Sequence, residues 1–168
     1  MRPLLQAVNK QLGVVPNLFR LVANSPAALE GYLGLSGVLA KGKPPAVTRE
    51  RIALAFAEIN GCDYCLSAHT YLGKNLAKLD DAEIAANRGG GCSDPVADAA
   101  VRSAVEIVRR RGAVGANDVN AVCQAGYDDE QIIEIVQYVA LNTRTNYINQ
   151  IANTEIDFLA VKAHNKAA

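Results

Sequence analysis

The sequence predicts an all-α fold in a single domain. Two observations carry that prediction. Alanine is abundant, aromatic residues make up only 5% of the chain and there is no Trp; β-branched residues rarely alternate with polar ones as a half-buried strand requires. From Val15 onward, stretches of helical length follow one another, punctuated by Pro, Gly or Asn. A chain of 168 residues, half of them hydrophobic, suits one domain with an ordinary core, spanning 1–168.

Each element has a local cause. Pro16 suits a first helical position and opens a short helix over residues 17–23. Ser25 is the expected N-cap, and Pro26 the first residue, of a helix reaching Ala40, where Lys41-Gly42-Lys43-Pro44-Pro45 breaks it. Thr48 is expected to cap the next helix, with Glu50 in its favourable first turn ahead of the apolar run Ile52-Ala53-Leu54-Ala55-Phe56-Ala57. Asn60-Gly61 stops it. A further helix begins at Cys62-Asp63-Tyr64-Cys65 and passes Leu72. Asp80-Asp81-Ala82-Glu83 caps a short one, and residues 88–93 form a glycine-rich loop. Asp94-Pro95 starts a helix ending near Gly112, and Asn117-Asp118 starts another, cut at Gly126. Residues 128–151 read as one long helix, to which Ile132, Ile133, Ile135, Val136, Val139 and Ala140 give a broad apolar face. The polar tail, 159–168, is expected to fray.

Charge and hydropathy exclude several classes of function. Seventeen basic residues balance seventeen acidic ones, which argues against a nucleic-acid partner bound through clustered Lys and Arg. No apolar run approaches the roughly 20 residues of a membrane span. Residues 1–13 lack the order of a secretory signal, so a cytoplasmic protein is expected. In that compartment four cysteines do not imply a disulfide scaffold; a close pair there is more often redox-active or metal-binding.

The close pair is Cys62 and Cys65, with His69 four residues beyond. If Asn60-Gly61 ends one helix, both cysteines fall in the first turn of the next. Residues 62, 65 and 69 then share one helix face. A helix N-terminus, with its partial positive charge and unpaired N–H groups, stabilises a thiolate, and the thiolate is the nucleophile. His69, one turn below Cys65, is placed to take or relay a proton. Two plainer readings compete: buried cysteines packing as small hydrophobes, or a structural zinc site. Zinc would need further ligands singly from Cys92, Cys123 or His164, with His69 an awkward third corner. Cys92 and Cys123 have no evident partners.

The segment from Thr48-Arg49-Glu50 through Cys62-Asp63-Tyr64-Cys65 to His69 resembles the AhpD-like alkylhydroperoxidases of the carboxymuconolactone decarboxylase superfamily. The stretches Val14-Val15-Pro16-Asn17-Leu18-Phe19 and Asn24-Ser25-Pro26 are similar to its peroxidase-related branch, as are Asn142, Thr145-Asn146-Tyr147 and Asn149. The resemblance implies a helical bundle assembled as a homo-oligomer, trimeric or hexameric, and thiol-dependent reduction of a hydroperoxide substrate. It implies that Cys65 is peroxidatic, that Cys62 resolves the sulfenic acid as a disulfide, and that His69 belongs to a proton relay. The family's relay glutamate, twelve residues before the first cysteine, lands on Glu50; Glu58 is the reserve. Some members carry a histidine between the cysteines where this chain has Asp63-Tyr64, leaving the Tyr64 hydroxyl as a substitute.

Related enzymes are recycled by lipoylated carriers, and nothing in the sequence selects that reductant over another dithiol. No glycine-rich fingerprint supports a dinucleotide site, so no cofactor or metal is expected. Two other functions stay open at this stage. One is a lactone decarboxylase-like lyase using His69 or Glu50. The other is a non-enzymatic redox or zinc-binding module.

Overall fold

A computed structural model describes residues 2–164 of the chain. The run from Ile52 to Ala57 is apolar on every side, and a helix without a polar face must be enclosed. It forms the middle of α4 (Ala46–Ile59), where all six residues are buried. Around α4 pack α5 (Asp63–Asn75), α6 (Asp81–Arg88), α7 (Pro95–Arg109) and α9 (Asp129–Ile151). The remaining elements are α1 (Arg2–Leu12), α2 (Asn17–Val22), α3 (Pro26–Leu39) and α8 (Ala116–Gln124). Among the described residues there is no strand, and no helix is long and apolar enough to cross a membrane.

Two clusters of buried side chains flank α4. Leu54 and Ala57 face Leu18, Leu29, Leu66 and both close cysteines. Ile52, Ala55 and Phe56 face Ala100, Val101, Ala104 and Ile135. Each fully buried Leu, Ile or Phe stabilises the fold by about 1.5–3 kcal/mol, and the alanines let neighbouring helices approach α4 closely.

Most helix ends follow from the residues named above. Ser25 caps α3 through Ala28 N–H, Asp80 caps α6 through Glu83 N–H, and Asp128 forms a capping box with Gln131 at the head of α9. Four boundaries differ. The chain is already helical at Arg2, where the sequence reading placed no element; Leu4, Leu5 and Val8 supply a short apolar face that packs on the core. Pro16 precedes α2 as its N-cap instead of opening it. Thr48 does not cap α4. The fixed φ of Pro45 sets the N-cap there, so α4 starts at Ala46, Thr48 is buried inside it and Glu50 falls in the second turn. Arg88 closes α6 rather than opening the glycine-rich loop.

The apolar face expected on α9 is only partly inward. Ile135 is buried, but Ile133 and Val136 are exposed. The buried stripe continues as Tyr138, Asn142, Thr145, Asn146 and Asn149, so its C-terminal half is polar. Of the expected frayed tail, 165–168 lie outside the described residues. The part within them is tied down: Val161 N–H donates to Ser67 Oγ at 2.9 Å, Ala163 N–H to Asp63 at 2.9 Å and His164 N–H to Glu58 at 2.6 Å.

Candidate active site

The turn between α4 and α5 builds the site. Asn60 is the last residue in right-handed conformation, and Gly61 follows at φ 65°, a conformation glycine adopts without Cβ strain. Gly61 N–H donates to Glu58 O at 3.1 Å and Cys62 N–H to Ala57 O at 2.9 Å, the paired bonds of a Schellman motif. Cys62, the residue that completes this stop, is also the N-cap of α5, where its sulfur accepts from Cys65 N–H at 3.3 Å. Cys65 therefore lies in the first turn, at the positive end of the helix.

Both cysteines are free thiols and almost fully enclosed, Cys62 at 1% exposure and Cys65 at 3%. Their sulfurs stand 2.7 Å apart, with Cys62 donating. That hydrogen bond is the largest influence drawing the Cys65 thiol down to about 7; burial opposes it, and His69, Asn149 and Asn146 add to it. The same bond, together with burial, holds the Cys62 thiol well above its usual range. The pair is therefore polarised: above a pH of about 7 Cys65 is the thiolate, while Cys62 keeps its proton.

His69 Nδ1 lies 2.9 Å from Glu50 Oε2, linking α5 to α4. Burial alone would lower the basicity of this imidazole, but the Glu50 carboxylate overrides burial and raises it. Cys65, His69 and Glu50 line one cavity of about 160 Å³, bounded also by Leu18, Tyr32, Ala53, Tyr64 and Asn149. Cys62 does not line it. A ligand in the cavity reaches Cys65 first, with Cys62 behind it.

Four residues named from the sequence therefore converge: Cys62, Cys65, His69 and Glu50. Glu58 does not join them. It is buried and accepts from Arg88 Nε at 2.7 Å as well as from His164 N–H, so it anchors α6 and the tail. The Tyr64 hydroxyl accepts from Leu18 N–H at 3.1 Å, which ties α5 to α2. Cys92 is half-buried and Cys123 exposed. Among the described residues no three His, Cys, Asp or Glu side chains are grouped to hold a metal ion, because His69 is turned to Glu50 and the other two cysteines lie on other elements.

Asn146 and Asn149, which the sequence reading named only as carriers of the resemblance and not as site residues, also belong to the site. Asn149 Nδ2 donates to Cys65 Sγ at 3.3 Å. A signal for them exists: polar residues recur at 142, 145, 146 and 149 on one face of a long helix.

Comparison with known proteins agrees with this architecture. Residues 26–110 match the model of the carboxymuconolactone decarboxylase family. No curated protein matches the sequence. Among solved structures, an uncharacterized peroxidase-related protein from Silicibacter sp. TM1040 is 21% identical with a TM-score of 0.81, covering 92% of this chain and 83% of that one. A Ralstonia eutropha JMP134 protein, described as an alkylhydroperoxidase AhpD core, is 22% identical with a TM-score of 0.81, covering 91% and 83%. The debrominase Bmp8, solved in complex with 2,3,4-tribromopyrrole, is 18% identical with a TM-score of 0.73, covering 92% and 84%. At these identities the likeness is one of fold. The family match spans half of the chain and includes α4, α5 and the cysteine pair, so the protein belongs to the carboxymuconolactone decarboxylase family and has the helical architecture of its AhpD-like members.

Proposed function

We propose that the protein is a thiol-dependent peroxidase that reduces hydroperoxides through Cys65 and Cys62. One observation carries the reading: an acidified, cavity-lining Cys65 is hydrogen-bonded to a second thiol behind it, with the Glu50–His69 couple lining the same cavity. The Cys65 thiolate attacks the terminal oxygen of ROOH. An S–O bond forms, the O–O bond breaks, and the alkoxide leaves with the electron pair. His69, whose basicity the Glu50 carboxylate raises, supplies the proton that makes it ROH. The Cys62 sulfur then attacks the Cys65 sulfenic acid; a disulfide forms, and the hydroxyl leaves as water with the Cys62 proton. An external dithiol, such as a lipoylated carrier, returns both residues to thiols and is itself oxidised.

A lyase reading gives the dithiol no task, and a zinc module lacks a third ligand beside the pair among the described residues. The test is hydroperoxide-dependent oxidation of a lipoyl dithiol by the purified protein. Turnover lost in Cys65→Ser supports the reading; turnover unchanged in that variant contradicts it. Because Bmp8 is solved with 2,3,4-tribromopyrrole, the same assay with that compound in place of the peroxide is the control, and no turnover is expected.

We also propose a homo-oligomer, trimeric or hexameric. Its support is a stripe on the outer face of α9, where Ile133, Val136, Tyr147 and Ile151 are exposed at helical spacing.

A further inference from the structure

Behind the cavity, α9 presses two asparagines against the reacting sulfur, and each leaves one buried atom unused. Asn146 is 0% exposed and Asn149 3%. Asn146 Oδ1 accepts from Asn60 Nδ2 at 2.8 Å, which fixes its amide against the C-cap of α4. Its Nδ2 is close enough to Cys65 to help hold that thiol down, yet it makes no well-aligned hydrogen bond among the described residues. Asn149 spends its Nδ2 on Cys65 Sγ, and its Oδ1 has no partner. The two side chains are three residues apart on α9 and share a face. One free donor and one free acceptor are thus enclosed beside Cys65. Such orphaned buried groups are rare in folded proteins and are costly to leave unpaired.

A thiolate only accepts, so it can use the Asn146 donor but leaves the Asn149 acceptor without a partner. The pair complements what the sulfur becomes. A sulfenic acid carries an O–H that donates and an oxygen that accepts, and so does the terminal OH of the hydroperoxide from which it comes. We propose that Asn146 and Asn149 are catalytic residues, forming a two-point receptor for the oxygen that Cys65 takes from the peroxide. Asn146 Nδ2 donates to that oxygen and Asn149 Oδ1 accepts its hydrogen, while the S–O bond forms and the O–O bond breaks. Interactions of this kind are stronger along the reaction than in the resting enzyme, which is what accelerates a chemical step. The inference rests on the peroxidase reading above.

The test compares two electrophiles on the reduced, full-length protein at a pH above the Cys65 midpoint. Cumene hydroperoxide delivers an oxygen; iodoacetamide alkylates the same sulfur without one. In Asn146→Leu and Asn149→Leu, which keep the heavy-atom count and branching, the Cys65 midpoint should rise, because both amides help to hold that thiol down. Each variant is therefore compared with wild type at equal thiolate fraction. There the hydroperoxide rate should fall about tenfold or more, while the iodoacetamide rate does not fall. Rates that fall together, or a hydroperoxide rate that does not change, would overturn the receptor. Should a Leu variant lose its helical circular dichroism, the milder Asn146→Ser and Asn149→Ser are read by the same ratio. Wild-type protein oxidised no faster than free cysteine would instead sink the peroxidase reading itself, an outcome visible before any variant is made.

Discussion

His69 Nδ1 and Glu50 Oε2 stand 2.9 Å apart, joining consecutive helices directly beside the thiolate. The contact decides which glutamate pairs with the imidazole, and it raises the basicity of that imidazole. In Glu50→Gln burial is opposed only by the Cys65 charge, so the His69 titration midpoint should move down. Proton NMR can follow it. Hydroperoxide turnover should drop by about 10²-fold, the scale of a lost general acid. A His69 midpoint that does not move would contradict the pairing.

Alkylation of Cys65 should depend on pH in a stated direction. The thiol ionises at about 7, so the thiolate is present above that pH and lost below it. The iodoacetamide rate should therefore rise through neutral pH to a plateau. The hydrogen bond from Cys62 is the largest cause of the low value, so Cys62→Ala should shift the midpoint upward. A midpoint left in place would assign the acidity to the helix terminus and His69.

The two cysteines should fail differently. Cys65→Ser should lose reaction with hydroperoxide altogether. Cys62→Ser should still react once, accumulating a dimedone-reactive sulfenic acid at Cys65, and should not turn over with a dithiol. Equal single-turnover rates in the two variants would contradict the order in which the sulfurs meet the cavity.

Gly61 holds a left-handed conformation between the stop of α4 and the cap of α5. Gly61→Ala should destabilise the fold by about 1 kcal/mol, the cost of that conformation for a residue with a Cβ, as read by urea unfolding. An unchanged midpoint would mean that the turn has relaxed elsewhere.

Light scattering should return three or six times the 17.8 kDa chain mass. A charge placed in the outer stripe of α9, as in Ile133→Lys, should reduce that mass. A wild-type monomer would remove the proposed assembly.

Where the chemistry is local, the sequence was a sufficient guide. The stop at Asn60-Gly61, the cysteine pair at the head of the next helix and the phasing of His69 need only helix rules, although Cys62 is the N-cap of α5 and not part of its first turn. The structure brings these groups together with Glu50. Where a residue's part depends on a distant segment, it was not. Glu58 shares a helix with Glu50, but Arg88 and the tail engage it. The Tyr64 hydroxyl meets α2, 46 residues away in the chain. On α9 the apolar run at 132–140 drew attention to the wrong half, because hydrophobic periodicity does not reveal a buried polar stripe. Asn146 and Asn149 gain meaning only when α9 is laid against α5. The start of α4 was misread for a more local reason: Pro45 competes with Thr48 for the N-cap and wins through its fixed backbone angle.

The central claim is that Cys65 and Cys62 form a peroxidatic pair. Its most direct test is a free-thiol count on the reduced protein, before and after one equivalent of an organic hydroperoxide, with peptide mapping. The account predicts rapid loss of two thiols, both recovered in a Cys62–Cys65 disulfide, while Cys92 and Cys123 remain free. Thiols that survive the peroxide, or that oxidise no faster than free cysteine, would contradict it.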